Sequence, residues 1–492
     1  MPIRKSFAAF VLPVLMGSSL SAALADDVVR TPRPVPATRP EMKELLEDMK
    51  KRPHRIPIPE LTDKDKEALG ERANNYEARL RYHYVPTTEG SVFGAARTGA
   101  NTGGNAGGNA GKDAPKTGTR PANDFTRNAD ENMSLTYQFK TKLFWIVSRT
   151  NNCQYCLGHQ EWKLSATGMT DDQIAALDAD WGVYGEDEQA AFAYARLLTY
   201  EPHRLNDAAI ESVKKFYSPL QILEMTMSVS GNNSINRWKE GTGIPQSEGN
   251  TFAGRGGSAD VAHSNEFTTP TSSKYEKLVS IVAPLELTGG KATGRGVSTR
   301  PALESREETL QKISELSKRA ARLTLVDAAK TADWLKESKQ EIQPDNWARL
   351  LANFPNEGRG RLPALVSRKR QTGELTELQK AQINWIIARQ DHAWYAIGQA
   401  YRHLKTLGQT DDQIFALDGD LTKPVEGLSD GDRSLFVVAK NLAASPIAVT
   451  DENVAAALAA TSPAHVVQTI NHTTACAYFD RLTEAAGLPL EE

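Results

Sequence analysis

Apolar side chains recur at steps of three and four residues along much of the chain, which is the spacing of a helix with one buried face. One such set comprises Leu135, Phe139, Leu143, Ile146 and Val147. A second set with similar steps comprises Leu375, Ile383, Ile386 and Ile387. The alternation of apolar and polar residues that is typical of strands is hardly visible anywhere. The pattern therefore predicts an all-α fold.

Two stretches of the chain resemble one another in a constant register. The matched segments are Phe144–Arg149 with Asn384–Arg389, Gly168–Ile174 with Gly408–Ile414, and Gly243–Pro245 with Gly487–Pro489. The first two pairs are 240 residues apart (389 − 149) and the third pair is 244 residues apart (489 − 245). One four-residue insertion therefore separates two registered copies. We interpret them as the tandem duplication of a domain of roughly 120 residues.

Composition and local sequence signals divide the chain of 492 residues into predicted segments. Residues 1–25 have a charged start, a short apolar core and an Ala-x-Ala site ending at Ala25, the anatomy of a cleaved secretory signal. The further predicted segments are an N-terminal helical or extended segment at 26–97, a Gly/Asn-rich flexible insert at 98–122, the first domain at 123–245, a linker at 246–273, a helical connecting region at 274–345 and the second domain at 346–492.

The net charge and the hydropathy of the sequence argue against two classes of partner, nucleic acids and membranes. A formal net charge of −3 argues against a dedicated nucleic-acid binder, which would carry a basic face. After the signal, no apolar run is long enough for a transmembrane span, so no membrane association is expected once the signal is cleaved. We expect a mature protein in the periplasm or secreted, with cleavage after Ala25.

The concentrated chemistry of the sequence is the pair Cys153 and Cys156 with His159 beside it. A disulfide between Cys153 and Cys156 would close a loop so small that it stabilises the fold by only about 2 kcal/mol before strain. The close spacing of the two cysteines is therefore better explained by a reactive pair than by a stabilising disulfide. Asn151 or Asn152 is predicted to cap the next helix, so that the thiols lie in its first turns. There the helix dipole favours a thiolate, and an imidazole can move its proton.

Other uses of the pair stay open. Haem attachment requires a His directly after the second Cys, where Leu157 stands. A zinc site needs further ligands, and there is no second cysteine pair. A thioredoxin-like motif needs a strand before the pair, whereas the preceding segment has helical spacing. A structural or inert pair is the last alternative.

A helix ending in Arg149, then Cys-x-x-Cys, a nearby His and Gly168-x-Thr170 resembles the alkylhydroperoxidase D/carboxymuconolactone decarboxylase superfamily. The resemblance covers about half of the chain. It implies two tandem helical domains of that family, preceded by the signal peptide and a partly disordered N-terminal region. It also implies a thiol peroxidase in which Cys156 attacks the peroxide and Cys153 resolves the product. His159 would belong to the proton relay, and neither cofactor nor metal would be needed.

The sequence departs from the family at the relay. The family places its His where Gln160 stands and a Glu where Thr141 stands, so Gln160 and Glu161 are possible relay groups. In the second copy, Ala393, Ala396 and Gln399 replace the two thiols and the imidazole. That copy cannot perform the chemistry. We expect it to be a structural partner, in an intramolecular pseudo-dimer or a homo-oligomer.

The expected function is an antioxidant, peroxiredoxin-like oxidoreductase whose disulfide is reduced by an external dithiol or thioredoxin-like protein. The alternative is a non-catalytic exported helical protein for binding or assembly, with a vestigial or redox-sensing cysteine pair. Decarboxylase-like chemistry on a small lactone is a third and weaker option, because that branch of the family works without a cysteine pair. Arg237 and Arg481 match between the copies and are expected to form structural ion pairs. Cys476 is expected to be a buried free thiol.

Overall fold

The computed structural model describes residues 35–90, 92, 128–200, 202–246, 271–285 and 302–491. Over these residues the protein is all-helical, with nineteen α-helices and no strand, as predicted. The signal segment, the Gly/Asn-rich insert and most of the linker lie outside the described residues.

The helices fall into two series along the chain. The first series is α1 Arg39–Asp48, α2 Asp63–Leu69, α3 Tyr76–Tyr84, α4 Tyr137–Thr150, α5 Gln154–Ala166, α6 Asp171–Ala179, α7 Glu186–Tyr200, α8 Asp207–Lys214 and α9 Pro219–Thr242. The second is α10 Arg306–Glu315, α11 Ala328–Glu337, α12 Asn346–Leu351, α13 Pro355–Val366, α14 Glu377–Asp391, α15 Trp394–Thr406, α16 Asp411–Ala416, α17 Asp430–Ala443, α18 Asp451–Ala460 and α19 Pro463–Ala486. None of the described helices combines the length and the apolar composition that crossing a bilayer requires.

Helices α4 to α9 correspond in order to α14 to α19. Helices α5 and α15 both have 13 residues, and α9 and α19 both have 24. The offset changes between α6 and α7, where the second copy has its four extra residues. We call α4 to α9 the first helical unit and α14 to α19 the second helical unit.

Local sequence signals set the helix ends in both units. Thr170 with Gln173, and Thr410 with Gln413, form the predicted capping boxes at the starts of α6 and α16. The long helices α9 and α19 end at glycines in the left-handed region, where a residue without a Cβ is favoured. Gly243 has φ 67° and Gly487 has φ 58°.

The two units pack through α9 and α19 with reciprocal hydrogen bonds. Arg237 on α9 donates to the Ala443 carbonyl at the end of α17, at 2.7 Å. Arg481, the counterpart of Arg237, donates to the Thr199 carbonyl near the end of α7, at 3.0 Å. Thr199 is in turn the counterpart of Ala443, so the contact repeats with the units exchanged. This is the arrangement of a twofold interface, here within one chain.

The expected ion pairing is confirmed for Arg481. Arg481 forms a buried ion pair with Asp391 at 2.8 Å. The residue that corresponds to Asp391 is the neutral Asn151, and Arg237 donates to the side chain of Asn233 at 3.0 Å.

The correspondence also includes the helices before each unit, which the sequence comparison did not pair. Helices α1 and α10 both have ten residues and begin with an Arg. After α1, Arg52 lies 3.3 Å from Glu240 of α9; after α10, Arg319 pairs with Glu484 of α19 at 2.8 Å. Residues 35–56 and 302–323 therefore bind to equivalent places in their units.

Two further arginines of these segments reach the opposite unit. Arg55 forms an ion pair with Asp451 at the start of α18. Its counterpart Arg322 pairs with Asp207 at the start of α8, at 2.7 Å. Residues 35–56 and residues 302–323 thus each bind the unit that follows them and also contact the other unit.

Asp480 on α19 is a buried carboxyl group that lies among the charges of Arg237, Arg368 and Arg481. Its side chain is 0% exposed, and neither carboxylate oxygen has a hydrogen-bond partner among the described residues. Burial and the nearby Asp391 carboxylate outweigh these arginine charges and raise the pKa of Asp480 well above its ordinary value. The counterpart in the first unit is Asn236, which accepts from Asn151 at 3.0 Å. The first unit therefore has a neutral side chain at this place.

We predict that Asp480→Asn stabilises the protein at pH 7 by about 1–3 kcal/mol, since it removes a carboxylate that must be protonated to be buried. The raised pKa means that the folded protein keeps a proton that the unfolded chain releases above its ordinary pKa of 3.8. Wild-type stability should therefore fall as pH rises from 4 towards 7, and the fall should be smaller in the variant. Urea unfolding at several pH values measures both effects, with Asp63→Asn on the exposed side of α2 as the control. A loss of stability in Asp480→Asn at pH 7 would contradict this account.

Candidate functional site

The turn between α4 and α5 places the cysteine pair. Asn152 adopts the left-handed conformation, with φ 57°, and Cys153 donates its backbone N–H to the Ser148 carbonyl at 2.9 Å. Helix α5 then begins at Gln154, with Cys153 as its N-cap. The prediction that Asn151 or Asn152 caps this helix was wrong. Asn152 instead supplies the positive φ of the turn, which Asn tolerates better than most residues.

The two thiols meet at the start of α5. Cys153 is the N-cap and Cys156 is the third residue of the helix, the two positions whose side chains face each other in a capping box. Both are free thiols, and they are 0% and 2% exposed. Burial and the neighbouring Cys156 thiol raise the pKa of Cys153 well above its ordinary value. Cys153 therefore stays protonated at neutral pH.

His159 lies one turn after Cys156, half-buried. Its Nδ1 is 2.9 Å from the Tyr155 carbonyl, and the two rings are stacked with centroids 4.5 Å apart. Burial lowers the pKa of His159 to about 3, and the nearby Lys239 and Lys163 charges act in the same direction. The imidazole is consequently neutral and a weak base.

An ion pair from two other helices lies beside this turn. Lys239 on α9 pairs with Glu77 on α3 and lies 4.6 Å from the centre of the Tyr155 ring. Glu77 also accepts from Trp238 at 2.7 Å and from Arg81 at 3.1 Å. Burial opposes ionisation of Glu77, but Lys239 and Arg81 outweigh it and lower the pKa of Glu77 to about 2. Glu77 is therefore a carboxylate that is fully engaged with its cationic partners.

Lys163 is the second amine near the thiols. It lies on α5, two turns after Cys156, and is half-buried. Burial lowers its pKa to about 8, although a charge at Cys156 acts in the opposite direction. Within the part of the chain that the structure describes, its amine has no hydrogen-bond or ion-pair partner.

The two possible relay groups next to His159 are turned to other partners. Glu161 is 0% exposed and accepts two hydrogen bonds from Arg39 on α1, at 2.7 and 3.1 Å, and one from Trp145 at 3.1 Å. Gln160 donates to the Cys156 carbonyl at 3.4 Å. Thr141, at the family's Glu position, donates to the Tyr137 carbonyl at 2.8 Å. The structure thus brings Cys153, Cys156 and His159 together and gives Glu161 an ion-pair partner on α1.

The second unit keeps the turn without the chemistry. His392, the counterpart of Asn152, has φ 49°, and Ala393 is the N-cap of α15 with φ −86° and ψ 91°. Cys153 has almost the same angles, φ −85° and ψ 90°. Beyond the turn, Tyr395 and Gln399 donate to the Glu491 carboxylate at 2.7 and 2.8 Å. Internal hydrogen bonds therefore occupy the place that corresponds to His159.

Sequence reasoning missed Lys163, Lys239 and Glu77. The position of Lys163, seven residues after Cys156, was an available signal, because this spacing returns to nearly the same face of a helix. Glu77 and Lys239 are separated by 162 residues. No local pattern indicates that they meet.

Neither the search for a metal site nor the comparison with known proteins assigns a further role to these residues. Among the described residues, no three His, Cys, Asp or Glu side chains are grouped so that they hold a metal ion. No protein-family model matches the chain, and no curated protein matches it significantly.

Glu161 is expected to act as a structural anion. We predict that Glu161→Gln lowers the free energy of unfolding by about 3 kcal/mol, because it removes the carboxylate that lies 2.7 Å from the buried Arg39 charge. Urea unfolding measures the loss, and Glu188→Gln, which removes a half-exposed partner of Lys142, is the matched control with a smaller effect. An unchanged stability in Glu161→Gln would contradict the structural role.

His159 is expected to stay neutral down to acidic pH. We predict that its ring resonances show no titration between pH 5 and pH 8, with His159→Gln used to assign them by NMR. The unfolded chain protonates this residue near its ordinary pKa of 6.5, so His159 lowers stability as pH falls below that value. An inflection between pH 5.5 and 7.5 would show that the folded protein protonates His159.

Proposed function

We propose that this protein is an exported thiol peroxidase that reduces peroxides through a disulfide cycle between Cys153 and Cys156. The observation that carries the proposal is the meeting of two free thiols at the N-terminus of α5, with two lysines nearby. Backbone N–H groups at a helix start, together with cationic side chains, favour a thiolate. Resemblance of the motif to the alkylhydroperoxidase D superfamily supports the same chemistry.

The environment of each thiol supports different roles. The pKa of Cys153 is raised by burial, so Cys153 is suited to remain a thiol while Cys156 attacks. The Cys156 thiolate takes the distal peroxide oxygen, the O–O bond breaks, and an alcohol or water leaves. Cys153 then attacks the resulting sulfenic acid, which forms the disulfide and releases water. An external dithiol returns both sulfurs to thiols.

Burial restricts the reagents of this cycle. With Cys156 at 2% exposure and Cys153 at 0%, a small peroxide such as hydrogen peroxide is the favoured oxidant. A dithiol donor must contact a disulfide sulfur, so reduction requires local opening around the start of α5. The second unit, which lacks both thiols, would serve as the structural half of an intramolecular pseudo-dimer of two family domains.

The location of the protein outside the cytoplasm is part of the proposal. Residues 1–25 would direct export and be removed after Ala25, which places the mature protein in the periplasm or outside the cell. The cysteine pair would then work in an oxidising compartment, where its turnover depends on a supply of reduced dithiol.

We predict that one equivalent of hydrogen peroxide removes two thiols from the reduced protein and leaves Cys476, which is buried. Cys153→Ser should accumulate a sulfenic acid at Cys156, because the resolving thiol is absent, and Cys156→Ser should not react. Thiol titration and mass spectrometry of labelled peptides measure these outcomes, and Cys476→Ser is the matched control with wild-type behaviour.

Wild-type thiols that remain unreacted over minutes would contradict the peroxidase proposal. That result would favour the non-catalytic alternative, in which the helical units serve binding or assembly. A sulfenic acid at Cys153 in Cys156→Ser would instead exchange the assigned roles.

A further inference from the structure

We propose that the second unit positions the resolving thiol Cys153, through a chain of buried hydrogen bonds that begins at Ser445. The inference deepens the proposed function and rests on it for the sulfenic acid. It gives the second unit, whose own turn has no thiols, a part in the reaction beyond that of a structural half.

The chain of hydrogen bonds starts between α17 and α18. Ser445 donates its hydroxyl to the side-chain oxygen of Asn151 at 2.8 Å, and the Ile447 N–H donates to the Asn151 carbonyl at 3.2 Å. Arg237 donates to the Ser445 hydroxyl oxygen at 3.1 Å, which leaves the hydroxyl proton for Asn151. The second unit therefore contacts both the side chain and the backbone of the residue that follows α4.

Asn151 connects these contacts to α9. Its side-chain amide donates to Asn233 and Asn236, at 2.9 and 3.0 Å. Asn236 in turn has two contacts with the surroundings of Cys153. Its side chain donates to the Ser148 hydroxyl at 3.2 Å, and its carbonyl lies 3.9 Å from the Cys153 sulfur, in range of a weak S–H hydrogen bond.

The backbone of Cys153 is fixed from the same side. The Ser148 carbonyl accepts the Cys153 N–H at 2.9 Å, so the residue that Asn236 contacts also holds the N-cap of α5. Ser445, Asn236 and Cys153 are 2%, 0% and 0% exposed. At such burial no bulk water replaces a partner that is removed, and the group that loses its partner must rearrange or stay unsatisfied.

The resolving step depends on this placement more than the attack by Cys156 does. A disulfide requires two sulfurs about 2 Å apart with a narrow range of torsion, so Cys153 must leave the Asn236 carbonyl and align with Cys156. A small misplacement of the turn lowers the rate of such an intramolecular step sharply. Cys156, by contrast, lies within α5, and no hydrogen bond between described residues joins it to the second unit.

The resolving step is the condensation of a thiol with a sulfenic acid. The Cys153 sulfur forms a bond to the Cys156 sulfur, the S–O bond of the sulfenic acid breaks, and the leaving hydroxide takes the Cys153 proton as water. A small thiosulfonate permits the same attack without peroxide. Methyl methanethiosulfonate transfers its S–CH3 group to Cys156 and releases methanesulfinate. Cys153 then attacks the Cys156 sulfur, and methanethiol leaves with the proton.

The experiment compares Ser445→Ala with wild type in both reactions, by acid quenching and mass spectrometry. With one equivalent of hydrogen peroxide we expect Cys156 to be oxidised at the wild-type rate, whereas the sulfenic acid accumulates and the disulfide forms at least about fivefold more slowly. The mixed disulfide from the thiosulfonate should be resolved with the same delay. Ser234→Ala is the matched control and should behave as wild type. Ser234 is also buried and donates across the units, to the Thr474 carbonyl at 2.8 Å, but its hydroxyl bonds no residue of the cysteine turn.

Ser445→Thr keeps the hydroxyl and should approach wild-type behaviour. If Ser445→Ala fails to fold by circular dichroism, Ser445→Thr and Ser445→Val make the comparison, because they differ by a hydroxyl in place of a methyl group.

Equal rates of disulfide formation in Ser445→Ala and wild type, or an equal delay in Ser234→Ala, would overturn the proposal. The proposal would also be overturned if Ser445→Ala slowed both steps to the same extent, as a general loss of structure would. A wild-type protein that does not react with peroxide, together with delayed resolution of the thiosulfonate adduct in Ser445→Ala, would contradict the proposed function and leave the positioning of Cys153 standing.

Discussion

The buried arginines at the interface of α9 and α19 set the strongest constraint on this structure. Arg237 and Arg481 are both fully buried, and an unpaired buried charge is costly. Each guanidinium finds part of its complement on the other unit, Arg237 at Ala443 and Arg481 at Thr199. These two hydrogen bonds cross between the units and hold the two halves of the chain against each other.

The same interface explains a difference between the units that matters for the thiols. In the second unit, Asp391 neutralises Arg481. In the first unit the corresponding residue is Asn151, which precedes the cysteine turn and adds no carboxylate beside the buried thiols. A carboxylate at that place would disfavour a thiolate nearby, so the neutral amide is compatible with thiol chemistry.

The sequence predicted those parts of the molecule that depend on short-range patterns. Helical periodicity and the Thr170–Gln173 capping box predicted elements correctly, because both signals lie within one or two turns of the chain. The turn before α5 was less predictable, since an Asn serves either as an N-cap or as a residue with positive φ. The match of residues 35–56 with 302–323 was missed, because its offset of 267 residues (306 − 39) differs from the 240 and 244 that relate the two copies.

In the candidate site, too, short-range features were predicted from the sequence and long-range contacts were not. Cys153, Cys156 and His159 are close in sequence, and their proximity followed from helical spacing. Whether His159 is a good base depends on burial and on Lys239, which comes from another helix, and spacing contains no information about either. The engagement of Glu161 with Arg39 likewise depends on a partner 122 residues away.

The contacts of Asn151 have a consequence for the order in which the molecule matures. Its side-chain oxygen accepts from Ser445 at 2.8 Å, and its backbone carbonyl accepts from Ile447 at 3.2 Å. These partners are synthesised almost 300 residues after Asn151, and such distant contacts close late in folding. The surroundings of the cysteine turn are therefore completed only after α17 has formed. Until then the thiols are exposed to mispairing and to oxidants of any size, whereas in the folded protein Cys153 and Cys156 are 0% and 2% exposed.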